Sequence, residues 1–239
     1  MKGQKYRALL VDLDGTLLEI DMLQFIPAFV ACLEGYFAGF NIGDDFSRHL
    51  VAAINSVIDN RDPERTNEAV FFDEFCRRLQ LPYGRIRPLV ERFYQEEFPR
   101  LRKWSRPHPD APRVVQSARR QKLILVLATN PLFPRTAVEQ RLDWGGLSAD
   151  DFDLITSIEN MHFCKPHAEY YLEITRMIGC PPEQCLMAGN DVVEDLNAAA
   201  AGLDTFLVDD FILRRGHHRP EYKYRGSLKE LAVFIDNLG

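Results

Sequence analysis

The chain has 239 residues, 46% of them hydrophobic and 27% charged, with a formal net charge of −6. That length supports one sizeable core with a smaller attached unit, and the composition excludes a disordered chain, while the acidic balance argues against a nucleic-acid partner. No apolar stretch reaches membrane-spanning length, and five scattered cysteines (32, 76, 164, 180 and 185) lack metal-site spacing, so they read as reduced thiols of a cytoplasmic protein with no membrane partner.

The first element is the buried-strand run "RALLVDL", residues 7–13, which the amino terminus enters without the apolar core of a signal peptide. It ends in Asp12 and Asp14, within "LLVDLDGTLLE". Two carboxylates one residue apart repel each other and are costly to bury, so a positive group is expected between them. About ninety residues then pass before the helix that leads into the next strand, far beyond a crossover loop. Helical apolar spacing recurs over 21–40, 46–59, 67–79 and 86–101. Residues 20–105 therefore read as a helical domain inserted into an α/β core made of 1–19 and 106–239. The return hinge falls in "RKWSRPHPDAP", 102–112, where three prolines stop a helix.

After a helix near 111–121, the chain alternates. Strand-like runs occupy 123–129, 152–158, 185–190 and 204–209, with helices over 134–144, 167–179, 191–202 and 227–238. Continuous apolar strands separated by helices predict a doubly wound α/β fold with a parallel sheet. Ligands of such sheets bind at the carboxyl ends of the strands. Those ends carry Asp12 and Asp14, then Thr129 and Asn130, then Lys165 in the loop "FCKPH", then Asp191 and Asp195 in "GNDVVED". Four converging carboxylates call for a hard cation, and an oxygen-rich site favours Mg²⁺. Mg²⁺, helped by Lys165, is the expected offset to the repulsion between the aspartates.

"DLDGT" (12–16), "ATN" (128–130), "CKP" (164–166) and "GNDVVED" (189–195), in this order, resemble the four motifs of the haloacid dehalogenase superfamily. The helical insert after the first motif resembles that family's C1-type cap. The resemblance implies a Mg²⁺-dependent phosphatase acting on a small phosphorylated metabolite through an aspartyl-phosphate. It makes Asp12 the nucleophile and Asp14 the general acid and then base; family members that dehalogenate lack a carboxylate at the second position. It makes Thr129 and Asn130 phosphoryl-oxygen donors and Lys165 the neutralising cation. The metal would sit on Asp191, the Asp12 side chain and the Asp14 backbone carbonyl. Thr16 would support the turn at Gly15. Asp195 would orient Lys165 or a metal-bound water, with Glu194 its rival. Asn190 departs from the family's commonest pattern, which has an acidic residue there. A sugar phosphomutase shares the same motifs and stays open as an alternative, as does a non-catalytic ligand-binding module. Phosphonate cleavage is disfavoured because the insert holds a single lysine, Lys103. Arg61, Arg65, Arg77, Arg78, Arg85 and Arg87 are candidate substrate contacts in the insert, though such charges more often lie on solvated helix faces. The sequence assigns no oligomeric state.

Overall fold

A computed structural model describes residues 5–40, 42, 45–214 and 221–238. Residues 1–4, 41, 43, 44, 215–220 and 239, which the sequence reading places in the core or the insert, lie outside the described residues.

The strand runs are apolar on both faces because the sheet is covered on both faces. β1 (Ala8–Val11) lies at its centre, between β4 (Ile124–Leu127) and β6 (Cys185–Gly189). β5 (Leu154–Ile155) flanks β4, and β7 (Asp204–Val208) with β8 (Tyr224–Gly226) continues past β6. Every pairing among these six strands is parallel. Successive side chains point to opposite faces. Leu9, Val11, Leu125 and Leu127 face α5 (Ala111–Arg120), α6 (Arg135–Trp144) and α8 (Leu228–Asp236) in one apolar cluster. Ala8, Leu10, Val126 and Met187 face Tyr170, Tyr171 and Ile174 of α7 (Ala168–Met177) in another. Each such Leu or Val taken fully out of water contributes roughly 1.5–3 kcal/mol.

Between β1 and β4 runs the helical insert. It holds α1 (Met22–Ala38), α2 (Phe46–Ile58), α3 (Asn67–Leu79) and α4 (Tyr83–Glu96), followed by a 3₁₀ turn over Phe98–Trp104. The two crossings into the insert are strands, not loops. β2 (Leu18–Ile20) pairs antiparallel with β3 (Ser105–Pro107), Glu19 opposite Arg106. The sequence reading made this stretch a proline-rich hinge. Pro107 is compatible with a strand because the ribbon has two strands only and its outer edge needs no N–H partner.

The insert is fastened to the sheet side at two more places. One is aromatic: the Phe29 ring meets Phe133 at 5.3 Å between centroids, and Phe98 stacks on Trp144 at 5.2 Å. The other joins 57–70 to 158–167. There the Asn67 and Glu68 amides donate to Met161 O and Ile158 O at 2.8 Å each, and Asn60 Nδ2 donates to His162 O at 3.0 Å. Among the described residues no helix is long and apolar enough to cross a membrane.

Two expectations need correction. The segment 191–202 is not an α-helix; it turns through 191–195 and then forms a 3₁₀ stretch over Leu196–Ala201. Side chains fix the turn: Asp191 Oδ1 accepts from the backbone of Val193 (2.8 Å) and Glu194 (2.9 Å), and Asp195 Oδ2 accepts from the Asp191 amide at 2.9 Å. The strand predicted over 152–158 is two residues long, and β8 was not predicted.

Candidate active site

β1 stops at Val11 because the following residues leave the sheet in a tight loop. The Gly15 amide donates to Leu18 O at 2.8 Å and the Leu18 amide to Leu13 O at 2.9 Å. Gly15 has φ +83°, and a Cβ there would come within 2.4 Å of Asn190 Nδ2, so the loop needs glycine on both counts. Thr16, fully buried, donates its hydroxyl to Asn190 Oδ1 at 3.1 Å, with Asp12 Oδ2 at 3.4 Å. Asn190 Nδ2 donates to Phe211 O at 2.7 Å. The residue that departs from the family pattern thus ties the loop after β1 to the loop after β7.

Asp12 sits one residue beyond β1, at the point where the strand order diverges to β4 on one side and β6 on the other. Its Oδ1 accepts from Lys165 Nζ at 2.8 Å, and the same ammonium donates to Asp195 Oδ1 at 2.6 Å. Lys165 is 1% exposed. Burial would push its ammonium pKa down, but Asp12 and Asp195 beside it hold it well above the usual range. Burial pushes the Asp195 carboxyl up, against the pull of Lys165, because two carboxylates share one cation. Glu194 accepts from Asn130 Nδ2 at 3.1 Å. Thr129 is buried two residues past β4, its carbonyl held by Tyr170 Oη (2.8 Å) and Thr156 Oγ1 (2.7 Å). The structure thus brings Asp12, Thr16, Asn190, Lys165, Asp191 and Asp195 into one hydrogen-bonded set, with Thr129 and Asn130 on the neighbouring strand end.

Asp14 has a partner that the sequence reading did not name. Its Oδ2 accepts from Nη1 of Arg141, a residue of α6 with no exposed surface. Burial pushes the Asp14 carboxyl up, Arg141 pulls it down, and Asp12 pushes it up again; the net direction is up. Each of the two aspartates thus has a cationic side chain of its own, Lys165 at Asp12 and Arg141 at Asp14. Sequence reasoning missed Arg141, although a signal existed: it lies on the same face as Ala137 and Val138, the buried stripe of α6, where a charge is costly without a partner.

The oxygen donors that the family resemblance offers a divalent cation would be the carboxylates of Asp12 and Asp191 and the backbone carbonyl of Asp14. Among the described residues no three His, Cys, Asp or Glu side chains gather as a metal cluster. Two carboxylates and a carbonyl, with the other positions left to water and substrate oxygen, is nonetheless the set that Mg²⁺ takes. The residues fit that ion.

Two cavities flank the site. A cleft of about 620 Å³ opens beside Asp14, Asn190, Lys103, Arg106 and Phe211. A chamber of about 590 Å³ lies among α1–α4, walled by Phe29, Leu50, Phe71 and Val90 and floored by Leu132 and Phe133 from the loop after Asn130. Of the six insert arginines singled out as candidates, Arg87 lines this chamber but is paired with Glu91 at 2.8 Å. Arg65, Arg77 and Arg78 pair with Asp73 or Glu74, Arg85 Nη2 donates to Phe40 O at 3.4 Å, and Arg61 bonds His167 across the 57–70 seam.

The model of the haloacid dehalogenase-like hydrolase family matches residues 6–202. This chain belongs to that family. As a family member it is a hydrolase, and its parallel sheet with flanking helices is the fold of that group. It is 22% identical over 235 residues to the pyrophosphatase PpaX of Bacillus cereus (strain AH820), covering 97% of this chain and 98% of the relative. It resembles the structure of a HAD phosphatase from Thermococcus onnurineus with a TM-score of 0.58 at 20% identity, over 96% of this chain and 97% of that one. It resembles L-2-haloacid dehalogenase from Xanthobacter autotrophicus with chloropropionic acid covalently bound equally well, with a TM-score of 0.57 at 15% identity over 98% and 100%. The fold alone does not choose between the two chemistries.

Proposed function

We propose that this hydrolase is a Mg²⁺-dependent phosphatase acting on a small phosphorylated metabolite through an aspartyl-phosphate on Asp12. The observation that carries this reading is Asp14: a second carboxylate two residues past Asp12, at the same strand end and with its own cation. An ester hydrolysis that goes through a covalent intermediate needs a group that first protonates the leaving oxygen and then takes a proton from water. Burial, which raises the Asp14 carboxyl, suits it to hold that proton. Asp12 attacks phosphorus, held against Lys165. The Thr129 hydroxyl and the Asn130 amide donate to phosphoryl oxygens. Asp195 keeps the Lys165 ammonium pointed at Asp12. Mg²⁺, held by Asp12, Asp191 and the Asp14 carbonyl, would supply positive charge to the transferring group.

The insert, residues 20–105, is on this reading a C1-type cap that selects the substrate, and 1–19 with 106–239 form the catalytic core. The β2/β3 ribbon and the chamber floored by Leu132 and Phe133 support that division. The test is phosphate release from a panel of phosphomonoesters, with and without Mg²⁺. Release that needs the metal and disappears with a chelator is expected. Full turnover without divalent metal would sink the metal assignment, and transfer of the phosphoryl group to a sugar without bulk release would favour the phosphomutase alternative.

A further inference from the structure

We propose that Arg141 is a positioning residue that fixes the Asp14 carboxylate for the hydrolytic half of the reaction; the proposal rests on the phosphatase reading. Arg141 is among the largest wholly buried side chains of the protein. Stability alone does not account for the pair: replacing both partners of a buried ion pair by apolar side chains of similar volume is commonly neutral or stabilising. Packing alone would put methionine or leucine on this stripe of α6. The guanidinium is nevertheless held on three sides. Nη1 donates to Asp14 Oδ2, Nε donates to Ala137 O at 3.4 Å, and the Phe133 ring lies beneath it with its centroid 4.3 Å from Cζ. A planar fork clamped in this way sets direction as well as charge.

The loop that carries Asp14 is fixed by backbone bonds at Gly15 and Leu18, but those bonds leave the Asp14 side-chain torsions free. Lys165 is already shared by Asp12 and Asp195, and among the described residues it is Arg141 that pairs with the Asp14 side chain. The pair is also unfinished. Among the described residues, Asp14 Oδ1 and Arg141 Nη2 are both buried without a hydrogen-bond partner. One acceptor and one donor thus remain at the pair, suited to a third polar group such as an ester oxygen or the attacking water. Phe133, which carries the guanidinium on one side, is also part of the chamber floor, so the same ring borders the space proposed for the substrate.

The test uses the full chain with Mg²⁺ and acetyl phosphate as donor, and follows phospho-Asp12 formation and hydrolysis separately. Arg141→Met should form phospho-enzyme within about threefold of the wild-type rate but hydrolyse it at least about tenfold more slowly, so that it accumulates. In an Asp14→Asn background the same substitution should add almost nothing, because residues that act as a unit are not additive. A purely structural residue would lower both steps together, and in step with the melting temperature. Wild-type hydrolysis in Arg141→Met, a parallel fall of both steps, or full additivity with Asp14→Asn would each overturn the proposal. Should Arg141→Met not fold, Arg141→Lys, which keeps the charge without the fork, carries the same expectation and the same overturning results. A wild-type protein that neither forms phospho-enzyme nor releases phosphate would overturn the phosphatase reading itself, whereas normal wild-type turnover with an unaffected variant overturns only the role of Arg141.

Discussion

The two ends of the six-stranded sheet carry the same residue types in inverted proportion. At the carboxyl end one lysine, Lys165, bridges two aspartates at 2.8 and 2.6 Å, with 1% of its side chain exposed. At the amino end one aspartate, Asp204, takes two lysines, Lys5 at 2.6 Å and Lys223 at 2.8 Å, whose side chains are 48% and 46% exposed. The distances are alike, but the surroundings reverse the outcome. Burial drives Asp195 up, while Asp204 is held down at about 2. The amino end has a solvated surplus of positive charge and nothing left to bind. The carboxyl end has a dry surplus of negative charge beside further oxygen donors, which is the condition for recruiting a cation. Distance makes an ion pair, and burial decides whether it becomes a site.

The contrast predicts its largest effects at Asp12 and Lys165. Asp12→Asn should lower turnover by at least about a thousandfold with every phosphomonoester, since the proposed nucleophile is lost. In metal-free buffer the same variant should melt no lower than wild type, because Lys165 then faces one carboxylate. Lys165→Met should lose activity and, in metal-free buffer, also about 3–5 kcal/mol of stability, since Asp12 and Asp195 remain buried without their cation. Calorimetry with and without Mg²⁺ checks both. A metal-free Lys165→Met that melts like wild type would show that the buried surplus of charge is not real.

A smaller effect is expected at Gly15. Alanine there must adopt φ +83° and displaces Asn190, whose amide holds both Thr16 and the Phe211 carbonyl. The cost should be about 1–3 kcal/mol, accompanied by lost turnover. Gly146 has φ +72° but open space around its Cβ position, so Gly146→Ala should cost less and spare turnover. Equal losses at the two glycines would mean that backbone strain, and not the Asn190 contact, explains Gly15.

The sheet and its carboxyl-end residues were legible because each buried strand announces itself as an apolar run and most of the candidate site residues follow such a run closely. Asp12, Thr129 and Asp191 all obey that rule. Arg141 does not: it sits mid-helix, ten or more residues from any strand end, and only its place on a buried stripe marks it. The β2/β3 ribbon escaped for another reason. Its strands are three residues each, too short for any periodicity, and Pro107 speaks against a strand until the free edge is known. The turn at 191–195 was hidden by the four alanines that follow it, which favour helix by propensity, while the bonds from the Asp191 and Asp195 side chains to the backbone of the turn depend on geometry that a sequence does not show.

The smallest predicted effect is at the amino end. Partial burial pushes the Asp204 carboxyl up, but bonds from Lys223, Lys5 and Tyr6 outweigh that and pull it down to about 2. An aspartate in an unfolded chain titrates near ~3.9. The native state therefore binds fewer protons than the unfolded state between those two values. Stability from this cluster is fully present above ~3.9 and is lost as the pH falls towards about 2. Both lysines are half exposed, so solvent screening reduces the contribution to roughly 1 kcal/mol. Asp204→Asn should lower unfolding free energy by about that amount at neutral pH and by almost nothing near pH 2, with kcat unchanged. Denaturant titrations at the two pH values, alongside phosphate-release rates, measure all three. A variant that keeps its stability at neutral pH would show the cluster to be a surface ornament without energetic weight. One that loses turnover would break the division of labour between the two ends of the sheet.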